Sequence, residues 1–163
     1  MTKTLLIVFH SMTGGTRQMA QAAARAAEGE GVAVRLQEAR DTTAEDVLAA
    51  DGFIFATPEN LAAIAGMMKD FFDRTYYAAL GRVEGRVYGL MVCAGSDGSN
   101  AVRQVARIAT GWRLRAVAEP IIVCTHAQTP EAILAPKVIG RDDILRCEEL
   151  GATIAAGLAI GMF

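Results

Sequence analysis

Residues 4–23, TLLIVFHSMTGGTRQMAQAA, run from an apolar stretch rich in β-formers, through a loop of hydroxyls and glycines, into an alanine-rich helix. A strand that enters a helix through such a loop sets the helix's first unpaired N–H groups, and the positive end of its dipole, at the strand's carboxyl end. That arrangement is an anion site. Ser11, Thr13 and Thr16 surround Gly14 and Gly15, with Met12 between the hydroxyls and no Lys or Arg inside the loop. A phosphate here is held by neutral donors and the helix dipole, which suits a monoester better than a triphosphate with its metal. Neither Gly-x-x-x-x-Gly-Lys-Ser/Thr nor Gly-x-Gly-x-x-Gly occurs, which disfavours ATP, GTP and a classical NAD domain. The same residues also read as a turn that simply caps a helix.

At 163 residues, 52% hydrophobic and 21% charged, the chain is expected to form one domain over residues 1–163 with a substantial core. A formal charge of -2 gives no basic footprint, so neither nucleic acid nor an anionic membrane is an expected partner. The apolar run Leu5–Phe9 is too short for a signal-peptide core. The run GATIAAGLAIGMF at the end falls short of the ~20 residues that span a bilayer, and is expected to be a buried helix whose end meets another subunit. Cys93, Cys124 and Cys147 are widely spaced in apolar contexts without CxxC pairing. They read as reduced thiols of a cytoplasmic protein, and no metal site is expected.

Strands and helices alternate. A strand at 4–9 and a helix at about 15–29 are followed by a strand from Val32 and a short helix begun by Asp41, Thr42 or Thr43. An apolar strand from Gly52 breaks at Pro58, and a helix near 66–80 follows. The strand RVYGLMVCAG, a helix from about Asn100 to Gly111, a strand ending near Cys124 and a helix from about Arg141 to Gly161 complete the chain. Pro120 marks the last strand as an outer or bulged one, because proline donates no ladder hydrogen bond. Near-continuous apolar central strands require an α/β fold with helices on both faces of a parallel sheet.

The run Ile7-Val8-Phe9-His10-Ser11-Met12-Thr13-Gly14-Gly15-Thr16 with the helical Ala20 resembles the FMN-phosphate signature of flavodoxins, departing only at Ala23 where an apolar residue is larger. The stretch ATPENLAAIAGMMKDFFDRT, from Ala56 to Thr75, resembles the flavin-ring loop of NAD(P)H:quinone oxidoreductases of the tryptophan-repressor-binding-protein type. Thr57, Pro58, Gly66, Lys69, Phe71, Asp73, Arg74 and Thr75 stand in the family's places, whereas Asn60 replaces an aromatic and Ala62 and Ala65 replace Gly and Ser. ATGWRL, from Ala109, resembles the turn before the fifth strand of FMN reductases.

The resemblance implies a flavodoxin-like three-layer αβα sandwich with a five-stranded parallel sheet in order 2-1-3-4-5, and a ligand crevice between strands one and three. It implies FMN, with its phosphate on Ser11–Thr16. Its ring is expected to meet Thr57, Pro58, Glu59, Asn60 and Leu61 on one side and Ala94, Gly95, Ser96, Asp97 and Gly98 on the other. Leu61 or Ile64 is expected to cover it. Lys69, Asp73 and Arg74 read instead as a helix-surface charge pattern. Phe71, Phe72 and Trp112 read as core or subunit contacts. Tyr76 and Tyr77 come too late on their helix to reach the first loop. His10 is expected beside the phosphate loop, and His126 is a weak candidate for a proton donor. The function implied is NAD(P)H-dependent reduction of a quinone or similar acceptor by hydride transfer through flavin N5. The alternative is a flavodoxin-type one-electron carrier, disfavoured by the low net charge and by ring loops that lack Trp and Tyr. A cofactor-free binding module on the same fold is a third possibility. A homodimer or higher homo-oligomer is expected from the apolar C-terminal helix end and the Phe71-Phe72 helix.

Overall fold

The pleat of the first strand sets the layers of the molecule. In the computed structural model, which describes residues 1–163, β1 (Thr4–Phe9) sends Leu5, Ile7 and Phe9 into one buried cluster and Leu6 and Val8 into another. The chain continues through α1 (Gly15–Glu28), β2 (Ala33–Glu38), a 3-10 turn (Ala39–Asp41), α2 (Ala44–Ala49), β3 (Gly52–Asn60), β4 (Ala63–Ile64) and α3 (Gly66–Ala79). It ends with β5 (Val87–Ala94), α4 (Ser99–Gly111), β6 (Arg115–Ala116), β7 (Ile121–Cys124), α5 (Pro130–Leu134) and α6 (Arg141–Ala159).

The strands β2, β1, β3 and β5 pair in parallel in that order, and β6 and β7 both pair with β5 in parallel at the edge. The fold is a flavodoxin-like α/β sandwich in the expected order. Its last strand position is shared by two short pieces, because the segment ending in Pro120 leaves the ladder between Ala116 and Ile121. A seventh strand, β4, forms a hairpin with the end of β3. The residues between β7 and α6, expected to be plain connection, hold the short helix α5.

On one face, Met19, Ala20 and Ala23 of α1 and Leu150 and Ile154 of α6 cover Leu5, Ile7 and Ile54. The two helices meet closely: a Cβ at Gly151 would stand 2.1 Å from the Ala23 carbonyl oxygen. On the other face α2, α3 and α4 cover an aromatic core. Phe55 meets Phe72 edge-on at 5.2 Å, Phe72 meets Trp112 at 5.7 Å, and Tyr76 stacks on Trp112 at 5.8 Å. The indole Nε1–H of Trp112 donates to the Tyr76 carbonyl at 2.9 Å, so the buried indole keeps no orphan donor. Phe71 and Phe72 are buried within this core, so they face no partner subunit. Thr43 caps α2 in a reciprocal box with Asp46, and Arg86 donates to the carbonyls of Val47, Leu48 and Ala50 at its other end. Lys69 and Asp73 pair at 2.6 Å on the surface of α3 as expected, but Arg74 reaches further, donating to the carbonyls of Ala39 and Thr42. No helix is long and apolar enough to cross a membrane.

Candidate functional site

The turn from β1 into α1 is built by a short hydrogen bond and a left-handed glycine. The Gly14 N–H donates to Ser11 Oγ at 3.1 Å, and Gly14, at φ 93°, caps α1 in a conformation that a β-carbon disfavours. The N–H groups of Gly15, Thr16 and Arg17 then begin the helix without intrahelical acceptors. A cleft opens over them, lined from this loop by Ser11, Met12, Thr13, Gly15 and Thr16. Thr16 is only 1% exposed and its hydroxyl makes no hydrogen bond within the protein. No fully buried side-chain polar atom lacks a partner, so that hydroxyl opens onto the cleft. Thr16→Val is expected to weaken binding of a phosphate monoester by about 1 to 3 kcal/mol while leaving the fold intact. Titration calorimetry with FMN checks it, and unchanged affinity would remove Thr16 from the phosphate site.

Two further loops meet this one. Pro58, Glu59 and Asn60 line the cleft from the end of β3, and Cys93, Ala94 and Gly95 from the end of β5. Thr57 lies beneath, fully buried, its hydroxyl donating to the Pro58 carbonyl and accepting from the Ala65 N–H. The hairpin turns through Leu61 and Ala62 at φ 52° and 59°, an unusual conformation for residues with side chains. Its tip is tied to α4: Asn100 Nδ2 donates to the Ala62 carbonyl, and the Ile64 N–H donates to Gln104 Oε1 at 2.8 Å. The Glu59 carboxylate accepts from the N–H groups of Gly98 at 2.9 Å and Ala101 at 3.1 Å, which places its charge at the positive end of α4.

These contacts sort the expected residues by their place around the cleft. Leu61 is fully exposed at the hairpin tip, whereas Ile64 is buried in the core, which removes Ile64 as a cover for the cleft. Gly98 has its N–H taken by Glu59, and Asp97 accepts from the Ser99 N–H. Neither they nor Ser96 and Gly14 line the cleft. His126, at φ 58°, is exposed and held by its backbone to the Gly95 carbonyl, and its side chain does not line the cleft. His10 does lie beside the phosphate loop, its N–H on the Ala56 carbonyl, with a pKa lowered by burial. Cys93 and Cys124 sit one register apart on neighbouring strands and point to opposite faces of the sheet. Burial pushes the Cys93 thiol up to about 11 and the Cys147 thiol up to about 12, which leaves both protonated and poor nucleophiles at neutral pH.

A fourth segment, which sequence reasoning left as connection, closes the cleft. Thr125, Ala127, Ile133 and Lys137 complete the lining. The segment is strapped to the phosphate loop, because the Lys137 N–H donates to the Thr13 carbonyl at 2.9 Å. Gln18 clasps it further, donating through Nε2 to the Lys137 carbonyl at 2.7 Å and accepting the Ile139 N–H at 3.0 Å. Gln18 stands one turn into α1, and nothing in its local sequence names a partner 119 residues away.

A sequence model of the family described as NADPH-dependent FMN reductase matches residues 4–129. Over 94 residues, 57% of this chain and 49% of the relative, the chain is 38% identical to a protein named flavodoxin from Aquifex aeolicus (strain VF5). It is 30% identical over 92 residues to an NAD(P)H dehydrogenase (quinone) from Acidithiobacillus ferrooxidans (strain ATCC 53993 / BNL-5-31), covering 44% of this chain and 46% of that one. The chain thus spans about half the length of the curated relatives it matches. Among solved structures it superposes on the flavodoxin, WrbA-like protein from Agrobacterium tumefaciens. The TM-score is 0.74 at 19% identity, covering 98% of this chain and 99% of that one, a likeness of fold.

Proposed function

We propose that this chain, which belongs to the NADPH-dependent FMN reductase family, is an FMN-dependent oxidoreductase that takes hydride from NAD(P)H and passes electrons to a quinone or similar acceptor. FMN is the cofactor of the family, and the unpaired donors of the first loop, with the Thr16 hydroxyl opening onto the cleft, fit its phosphate. Bound FMN supplies the hydride and electron chemistry, for which no side chain in the cleft is equipped.

The protein's own part is to position the flavin and govern access to it. The proposed assignments are the phosphate on Ser11–Thr16, and the ring between the backbone of Pro58, Asn60 and Leu61 on one side and Ala94 and Gly95 on the other. The observation that carries the enzymatic reading is that the cleft has no aromatic side chain in its lining. Nothing there sandwiches a ring, which leaves room for a second planar molecule to stack. The flavodoxin relative favours a second reading, a carrier that exchanges single electrons with protein partners and ignores nicotinamide.

An anaerobic titration separates the two. FMN-loaded protein is expected to bleach within seconds on adding NADH or NADPH and to recolour with a benzoquinone. Flavin that ignores both nucleotides would favour the carrier instead. The thiols, none of them in a disulfide, support a cytoplasmic setting. Ile160 and Met162, 72% and 67% exposed beyond α6, are the surface on which we base a two-fold dimer.

A further inference from the structure

We propose that Lys137 is a specificity-determining residue, supplying the cationic contact to the phosphate that the first loop lacks and so setting the preference for FMN over riboflavin. The proposal rests on the FMN reading above. Three observations carry it. Lys137 is the only Lys or Arg that lines the cleft. Its backbone is fixed over the phosphate loop, with its N–H on the Thr13 carbonyl and its carbonyl on Gln18 Nε2. Its side chain starts above the first residue of α1, since a Cβ at Gly15 would lie 3.5 Å from Lys137 Cβ.

The ammonium group has alternative partners within the strap. Nζ donates to the carbonyls of Ala132 at 2.8 Å, Ile133 at 2.8 Å and Ala135 at 2.5 Å, closing the carboxyl end of α5. That helix buries none of its residues, so its carbonyls can return to water when Nζ leaves. A phosphate dianion is the stronger acceptor, and a four-carbon stem lets the ammonium turn toward it without moving the strap. The competing charges are few. Arg17 is paired with Glu38 at 3.0 Å and lies over the Phe9 ring, and the Glu59 carboxylate is held at α4.

The test titrates flavin-free protein, by quenching of flavin fluorescence, with FMN and separately with riboflavin at low and high salt. Lys137→Gln is expected to weaken FMN about tenfold or more and to flatten its salt dependence. Riboflavin binding should not change, and Lys137→Arg should restore most of the loss. If FMN and riboflavin weaken together, Lys137 serves only to hold the strap and the proposal fails. If Lys137→Gln leaves FMN binding as tight as in the unmodified protein, neutral donors suffice and it also fails. An unmodified protein that binds neither flavin would overturn the FMN reading itself, and this proposal with it.

Discussion

Gly151→Ala is expected to lower the stability of the fold by about 3 kcal/mol or more, at the upper end of what overpacking costs. The added methyl would stand 2.1 Å from the carbonyl oxygen of Ala23 and 2.7 Å from both its carbonyl carbon and its Cα. All three atoms are backbone in the middle of α1, so no rotamer change relieves the overlap and the two helices must part. Parting them opens the interface in which Met19, Ala20 and Ala23 pack against α6 and the sheet. For a domain with the usual ~5 to 15 kcal/mol of stability, that is a large share. Urea denaturation measures it. Gly66→Ala is the control, since a Cβ there meets nothing within 4 Å and the residue begins α3. The control should be neutral or slightly stabilising. Ala23→Gly should not rescue Gly151→Ala, because the atoms struck remain. A midpoint for Gly151→Ala equal to that of the control would show that the helices are not in close contact.

Much of this packing was legible before the structure. The continuous apolar runs of β1, β3 and β5 each commit a strand to burial on both faces of a sheet, and Phe71 and Phe72 read as core or subunit contacts. Pro120 announced the break in the edge strand. The hairpin of β3 and β4 was not legible, because its turn uses Leu61 and Ala62 where a two-residue turn of this hand normally signals itself with Asn or Gly. The long-range hydrogen bonds from Asn100 and Gln104 hold that turn, and they have no local signature.

The site divides the same way. Ser11, Met12, Thr13, Gly15 and Thr16 line the cleft because a strand, a tight turn and a helix N-terminus are contiguous in sequence, so their geometry is local. The sequence places Glu59 only as a contact to the flavin ring, yet its carboxylate is what joins the second loop to α4. Lys137 and Gln18 were missed because each acquires its role from the other segment. One signal was available: a lysine in the long connection after the last strand of a sheet whose ligand crevice lies at the strands' carboxyl ends.

Gly15→Ala is expected to weaken FMN binding about a hundredfold, toward the upper end of what loss of a single donor costs. The reason is steric. A Cβ at this position would come within 2.7 Å of Cys93 Sγ and 3.4 Å of Ile139 Cδ1. Cys93 is buried in β5, so the start of α1 is the part that yields, and it carries the unpaired N–H groups of Gly15, Thr16 and Arg17 out of line together. Backbone conformation contributes nothing to the effect, since Gly15, unlike Gly14, does not have a positive φ. The overlap names its own remedy. Cys93→Ala removes the sulfur, so the double variant Gly15→Ala, Cys93→Ala should recover most of the affinity, while Cys93→Ala alone should change it little. That double-mutant cycle separates a clash from a lost donor, because only a clash is relieved by shrinking the neighbour. Tight FMN binding by Gly15→Ala alone would mean that the sulfur turns aside freely, and that the glycine is not what holds α1 against β5.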